Sequence, residues 1–286
     1  MKGEKIISKQ PFTNDNVSKG LFKFSRSQLC IPYGVFLTVF VVFPLLLVVY
    51  YAFTSKTGQF SFENFVSFFT NLTTLSTLII SIFVSVLVTI LCLLIAYPVA
   101  FILSRMKGNI ALVLLLLFIL PSWLNFVLRA MAMKELLAVI GIPLGSGANV
   151  IGLVYDFMPF MVMPLYSTLI KMDKSYEEAA SDLGASKSKV FTSVILPLSK
   201  PGIISGVTMV FLPVMSCYVI TDTFSGSTGF SLIGKLIAKC FLGEGGAPIQ
   251  INEGAAIALI MLVIMVITMT LTGGFKNAEN TRGTNL

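Results

Sequence analysis

Charged residues are so sparse along this chain that the gaps between them outline its structure. Six long apolar stretches recur. The first lies between Arg26 and Lys56, with its apolar part from about Leu29 to Phe53. The second falls in the uncharged run between Glu63 and Arg105, placed from about Ser76 to Leu103. A third runs from Asn109 to about Leu128, and a fourth from about Asn149 to Ile170 with Asp156 inside it. The fifth covers Pro201 to Thr221 and the sixth Gly254 to Phe275. The last is about 33 Å long at ~1.5 Å per residue, enough for a ~30 Å hydrocarbon core. Open sheets leave backbone groups unsatisfied in lipid, so the pattern predicts an all-α polytopic membrane protein of six transmembrane helices.

Between the spans the pattern is different. Ser231 to Leu242 places Ile233, Leu236, Ile237, Cys240 and Phe241 on one helical face and Lys235 and Lys239 on the other. That periodicity predicts a short helix lying on the membrane surface or packed over the bundle. The first 28 residues predict a polar tail, too long and basic for a secretory signal. Residues 276–286 form a second tail, leaving 29–275 as the membrane domain. Of the 20 Lys and Arg residues, only Lys56, Arg129, Lys134, Lys235 and Lys239 fall on one side of the predicted spans. The other fifteen fall with the termini, which puts both termini in the cytoplasm. The net charge of +7 is thereby a topology signal and not a nucleic-acid footprint.

Composition narrows the chemistry. The chain is 56% hydrophobic and 12% charged, with a mean hydropathy of +0.91. It has no histidine, and Cys30, Cys92, Cys217 and Cys240 share no metal-ligand spacing. An enzyme would need a nucleophile–base or metal constellation, which these residues do not offer. There is also no P-loop. If ATP is used, another chain must bind the nucleotide and its magnesium.

The longest loop on the predicted cytoplasmic side, 171–200, interrupts the apolar pattern with YEEAASDLGASKSKVFTSVILP. Ser175 with Glu178 three residues on predicts a capping box that starts a helix. Gly184 stands where a left-handed C-terminal cap is wanted, and Ser186 where a second helix begins. Pro197 is expected to halt that second helix, and Pro201 to sit in the first turn of the fifth span. The face carrying Ala179, Ala180 and Leu183 is small and apolar, so a partner could approach it closely.

Glu178-Ala179-Ala180, three residues, Gly184, nine residues and then Val194-Ile195-Leu196-Pro197 resembles the EAA motif of ABC importer permeases. The family's form ends in I-x-L-P, from which Val194 departs. The resemblance implies that Glu177, Glu178, Ala179, Ala180, Leu183, Gly184, Leu196 and Pro197 belong to a coupling loop. That loop would dock on a separate homodimeric ATPase. PSWLNFVLRAMAMKELL from Pro121, the stretch from Ile151 and LPLSKPGIISGVTMVFLPVMSCYV from Leu196 are similar to spermidine/putrescine permeases, the first of the two permeases in that system. This implies a second permease subunit, an extracytoplasmic polyamine-binding protein, a bacterial plasma-membrane location, and no cofactor in this chain. A permease for another small solute, or a stand-alone ion-coupled transporter or channel, are the alternatives.

A polycation path calls for carboxylates and aromatic faces. Asp156 lies roughly 10 Å deep from the outer end of the fourth span at ~1.5 Å per residue, and Asp222 ends the fifth. Trp123, Asn125 and Tyr155 lie at comparable depth. Three of these have plainer readings: Trp123 as an interface anchor, Asp222 seated in the headgroups or paired with Lys235, and Asp156 as one of the two carboxylates, with Glu135, open to Arg129. Pro159, Pro164 and Pro213 are expected to interrupt the fourth and fifth spans.

Overall fold

A computed structural model describes residues 26–55, 57–106, 109–224, 229–243 and 248–271. The tails (residues 1–25 and 276–286) and the end of the sixth predicted span (272–275) lie outside the described residues. The chain divides into two units, residues 1–47 and 48–286. The first contributes the start of α1, which comprises Arg26–Leu37, a π-helical turn Thr38–Val42 and Phe43–Ala52. The second unit holds α2 (Glu63–Thr70), α3 (Leu72–Arg105), α4 (Asn109–Ile119) and α5 (Phe126–Ile140). It continues with α6 (Ser146–Leu169) and α7 (Ser175–Asp182). Next comes α8, made of Lys187–Val190, a π turn Phe191–Ile195 and Leu196–Leu198. Then follow α9 (Lys200–Ser216), α10 (Val219–Phe224), α11 (Ile233–Leu242) and α12 (Ile251–Leu271).

Among the described residues, Ile31–Ala52, Leu72–Arg105, Ser146–Leu169 and Ile251–Thr270 are each long and apolar enough to cross a membrane. Two bent pairs raise the count to six: Asn109–Trp123 with Phe126–Ile140, and Lys187–Leu198 with Lys200–Ser216. The α3, α6 and α9 helices make the core, through Val88, Cys92, Ala96, Leu153, Met161, Leu165, Val210 and Val214. The α3 helix buries small polar residues among its apolar core positions and exposes large apolar side chains. Its buried side carries Ser81, Ser85 and Thr89, while Ile79, Phe83, Val86, Ile90 and Leu94 are exposed. Lipid is as apolar as leucine, so no hydrophobic force turns those side chains inward, and small polar residues mark the packed face. The close approach of α9 to α6 depends on Gly202. A Cβ there would lie 2.6 Å from Thr168 Oγ1 and 3.0 Å from the Pro164 carbonyl oxygen.

Three expectations need correction. The third span is not one straight helix ending at Leu128: it turns by 99° between Trp123 and Phe126. Pro121 sits in the 3-10 turn Leu120–Trp123 and lacks the N–H that would continue the α4 ladder. Asn125 then starts α5 by accepting hydrogen bonds from the N–H groups of Val127 (2.9 Å) and Leu128 (3.4 Å). The fifth span ends earlier than Thr221, because α9 stops at Ser216 and the chain resumes as α10. Finally, Pro159 and Pro164 do not break α6, nor does Pro213 break α9. Neighbouring helices hold a proline-bearing helix together in a membrane. The amphipathic segment forms α11 and packs over the bundle: Ile233 and Cys240 are buried, with Leu236 and Ile237 against them. The Ile233 N–H donates to Ser81 Oγ at 2.8 Å.

Candidate functional site: the 171–200 loop and the Arg129–Asp156 pair

The EAA loop is a helix, a tight turn and a second helix. The predicted capping box does not form: Asp173, not Ser175, accepts the first-turn hydrogen bond, from the Ser175 N–H at 2.9 Å. That bond, with a second from the Ser175 hydroxyl, holds the Asp173 carboxyl below its ordinary range. The shorter reach from two positions upstream wins because α7 begins at Ser175 itself. At its other end Gly184 has φ +81°. Its N–H donates to the Ser181 carbonyl (2.9 Å), and the Ala185 N–H donates to the Ala180 carbonyl (3.1 Å). These are the two bonds of a Schellman cap, for which a left-handed residue is required. Ser186 then caps α8 by accepting from the Lys189 N–H at 3.4 Å.

The α7 helix has two distinct sides. Glu177 and Ala180 turn toward the bundle: Glu177 pairs with Arg105 at the end of α3, and Ala180 packs on the core with Ala185. Tyr176, Ala179 and Leu183 face away, Leu183 with 89% of its surface exposed. The expected apolar face is therefore shifted, since Ala180 leaves it and Tyr176 joins it. Glu178 and Gly184 are exposed beside that ridge. Leu196 and Pro197 are also exposed, in the last turn of α8.

Pro197 ends α8 to within one residue. The helix runs on to Leu198 because the π turn Phe191–Ile195 widens the ladder ahead of the proline. The break falls at Ser199, where α8 and α9 meet at 63°. Pro201 lies in the first turn of α9, as the sequence predicts.

Midway along α6, Asp156 pairs with Arg129 of α5. Both are buried, at 1% and 7% exposure. Arg129 also donates to the Pro121 carbonyl (3.3 Å), and its guanidinium lies 5.6 Å from the Phe126 ring centre. One arginine thus ties α6 to both sides of the 99° break. A cavity of about 240 Å³ adjoins it, lined by Leu117, Phe118, Pro121, Arg129, Tyr155, Met158 and Pro159. Tyr155 is at the cavity wall, whereas Trp123 is 79% exposed and Asn125 serves as the α5 cap. Asp222 pairs with Lys235 at 2.6 Å. The sequence leaves Arg129 open to Glu135 or Asp156, and the structure gives it Asp156.

No family model matches the chain. The spermidine/putrescine transport system permease protein PotB of Escherichia coli (strain K12) is 34% identical over 252 residues, covering 80% of this chain and 90% of the relative. The protein of that name from Haemophilus influenzae is 35% identical over 267 residues, covering 86% and 91%. Among solved structures, a bacterial alginate ABC transporter in complex with an alginate pentasaccharide-bound periplasmic protein matches with a TM-score of 0.64 at 14% identity. That match covers 86% of this chain and 91% of the other. At this identity and coverage, with an all-α fold and an EAA loop in place, the chain belongs to the spermidine/putrescine transport system permeases, a family of ABC importer permeases.

Proposed function

We propose that the chain forms one half of the translocation path of an ATP-driven importer for spermidine or putrescine. It sits in the bacterial plasma membrane with both termini in the cytoplasm. In this reading a second permease subunit supplies the other half, and an extracytoplasmic binding protein delivers the polyamine. A homodimeric ATPase holds the ATP and magnesium. The observation that carries the reading is α7: a capped helix whose Tyr176, Ala179 and Leu183 ridge stands exposed. A partner groove covering Leu183 would remove a fully exposed leucine from water, worth about 1.5–3 kcal/mol. The fifteen-to-five division of Lys and Arg supports the cytoplasmic placement of that ridge.

For the path itself, Tyr155 at the cavity wall and Asp156 behind Arg129 are the inner candidates. Trp123, Asn125 and Asp222 are candidates for the outer mouth. A buried carboxylate already paired with arginine attracts a polyamine only if the pair opens, so Asp156 belongs to a gated position in this reading. Purified alone, the chain neither binds nor hydrolyses ATP. Together with the ATPase and second permease it forms a complex that takes up labelled spermidine or putrescine. Tight ATP binding to the isolated chain, or a complex transporting only an uncharged or anionic solute, contradicts the proposal.

A further inference from the structure

The 171–200 loop is tied to α3 by three side chains spaced four residues apart. Tyr97, Phe101 and Arg105 occupy one stripe along the last turns of α3, at the i, i+4 and i+8 positions. Together they meet three places in the loop: Glu177, Phe191 and Ser199. Arg105 pairs with Glu177 of α7, and its guanidinium lies 5.3 Å from the Phe101 ring centre. Phe101 and Tyr97 both stand edge-on to Phe191, the first residue of the π turn, at 6.0 and 5.6 Å between ring centres. The Tyr97 hydroxyl lies 2.9 Å from Ser199 Oγ, at the joint between α8 and α9. Ser199 spends its only hydroxyl proton on the Leu196 carbonyl (2.9 Å), so Tyr97 is the donor. This bond is buried.

We propose that Tyr97, Phe101 and Arg105 are positioning residues that fasten the coupling loop to α3. When the ATPase displaces the loop, α3 then travels with it as one body. The inference rests on the reading that this loop docks an ATPase. It also divides the two adjacent glutamates by task. Glu177 faces its own bundle, and Glu178 is exposed on the side left for a partner. A bond to α9 alone would let the loop swing about the 63° joint at Ser199. Three contacts along about 12 Å of α3, at ~1.5 Å per residue, remove that freedom.

The test compares uptake per ATP hydrolysed in the reconstituted complex. Arg105→Gln removes one charge at the α3 end while leaving the exposed ridge of α7 untouched. The ATPase should co-purify at wild-type yield, and uptake per ATP should fall about tenfold, the loss set by a charge-assisted bond. Tyr97→Phe should lower the same ratio by a smaller factor. The exchange Arg105→Glu with Glu177→Arg should restore most of what Arg105→Glu alone loses. That rescue is not expected if Arg105 merely complements the dipole at the end of α3. An unchanged ratio in both Arg105→Gln and Tyr97→Phe overturns the inference, as does an exchange no better than Arg105→Glu. If the wild-type chain fails to retain the ATPase at all, the coupling reading has failed instead.

Discussion

Gly184 holds φ at +81° in open space, with no heavy atom within 4 Å of where a Cβ would stand. Its requirement is therefore conformational and not steric. A β-branched residue there pays roughly 1–2 kcal/mol for the left-handed backbone. Gly184→Val should loosen the turn between α7 and α8 and lower ATPase co-purification, with membrane insertion unaffected; wild-type yield of ATPase would contradict it. Asp156 makes a different case. Removing its charge by Asp156→Asn leaves Arg129 buried without a counter-ion, a cost of about 3–5 kcal/mol. The amount of assembled complex should fall, and Asp156→Leu with Arg129→Met should recover it. Uptake per assembled complex is the separate readout for the path: it falls in Asp156→Asn if the carboxylate serves the polyamine, and stays unchanged if pairing is its only task. Gly184 was legible because glycine at a fixed offset from a helix start has one common use. The partner of Asp156 was legible only as one of two possible pairings, because the sequence offers Arg129 both Glu135 and Asp156 and does not tell which carboxylate is buried beside it.

At the level of elements, the apolar runs located both ends of α1, α3 and α6, and the starts of α9 and α12, to within a few residues. The failures share one cause. Hydropathy registers where lipid-compatible residues lie and is blind to the direction of the chain, so the 99° turn between α4 and α5 left no trace in it. Pro121 and Asn125 carried that information as a helix stop and a helix start four residues apart. Proline was misread in the other direction, since Pro159, Pro164 and Pro213 sit inside continuous helices. The seam between α6 and α9 is the element-scale contact that joins the two ends of the 171–200 loop. Gly202→Ala places a methyl group against Thr168 and the Pro164 carbonyl, which must give way. Overpacking of that kind costs about 1–3 kcal/mol. Thermal unfolding of the detergent-solubilised complex should shift to lower temperature, and an unchanged midpoint would show that the seam relaxes freely.

In the whole molecule, a packed core of α3, α6 and α9 stands between the exposed α7 ridge and the Arg129–Asp156 pair. α6 is engaged along its length: Asp156 in its middle pairs with Arg129 beside the 99° break, and its last residues lead into the 171–200 loop. The all-α class and the permease family were legible from six apolar runs and one spaced motif. The division of α7 into a bundle side and a free side was not, because Glu177 and Glu178 are identical in a one-dimensional pattern. In the proposed function, motion driven by ATP in a separate subunit reaches a polyamine path through this chain. This coupling is tested most directly in proteoliposomes containing the chain, its second permease and the ATPase. ATP hydrolysis and labelled spermidine uptake are measured with and without the polyamine-loaded binding protein. The account predicts that loaded binding protein raises both together, and that Leu183→Asp on the exposed ridge abolishes uptake by uncoupling the ATPase. Uptake that proceeds without ATP, or survives Leu183→Asp undiminished, would contradict it.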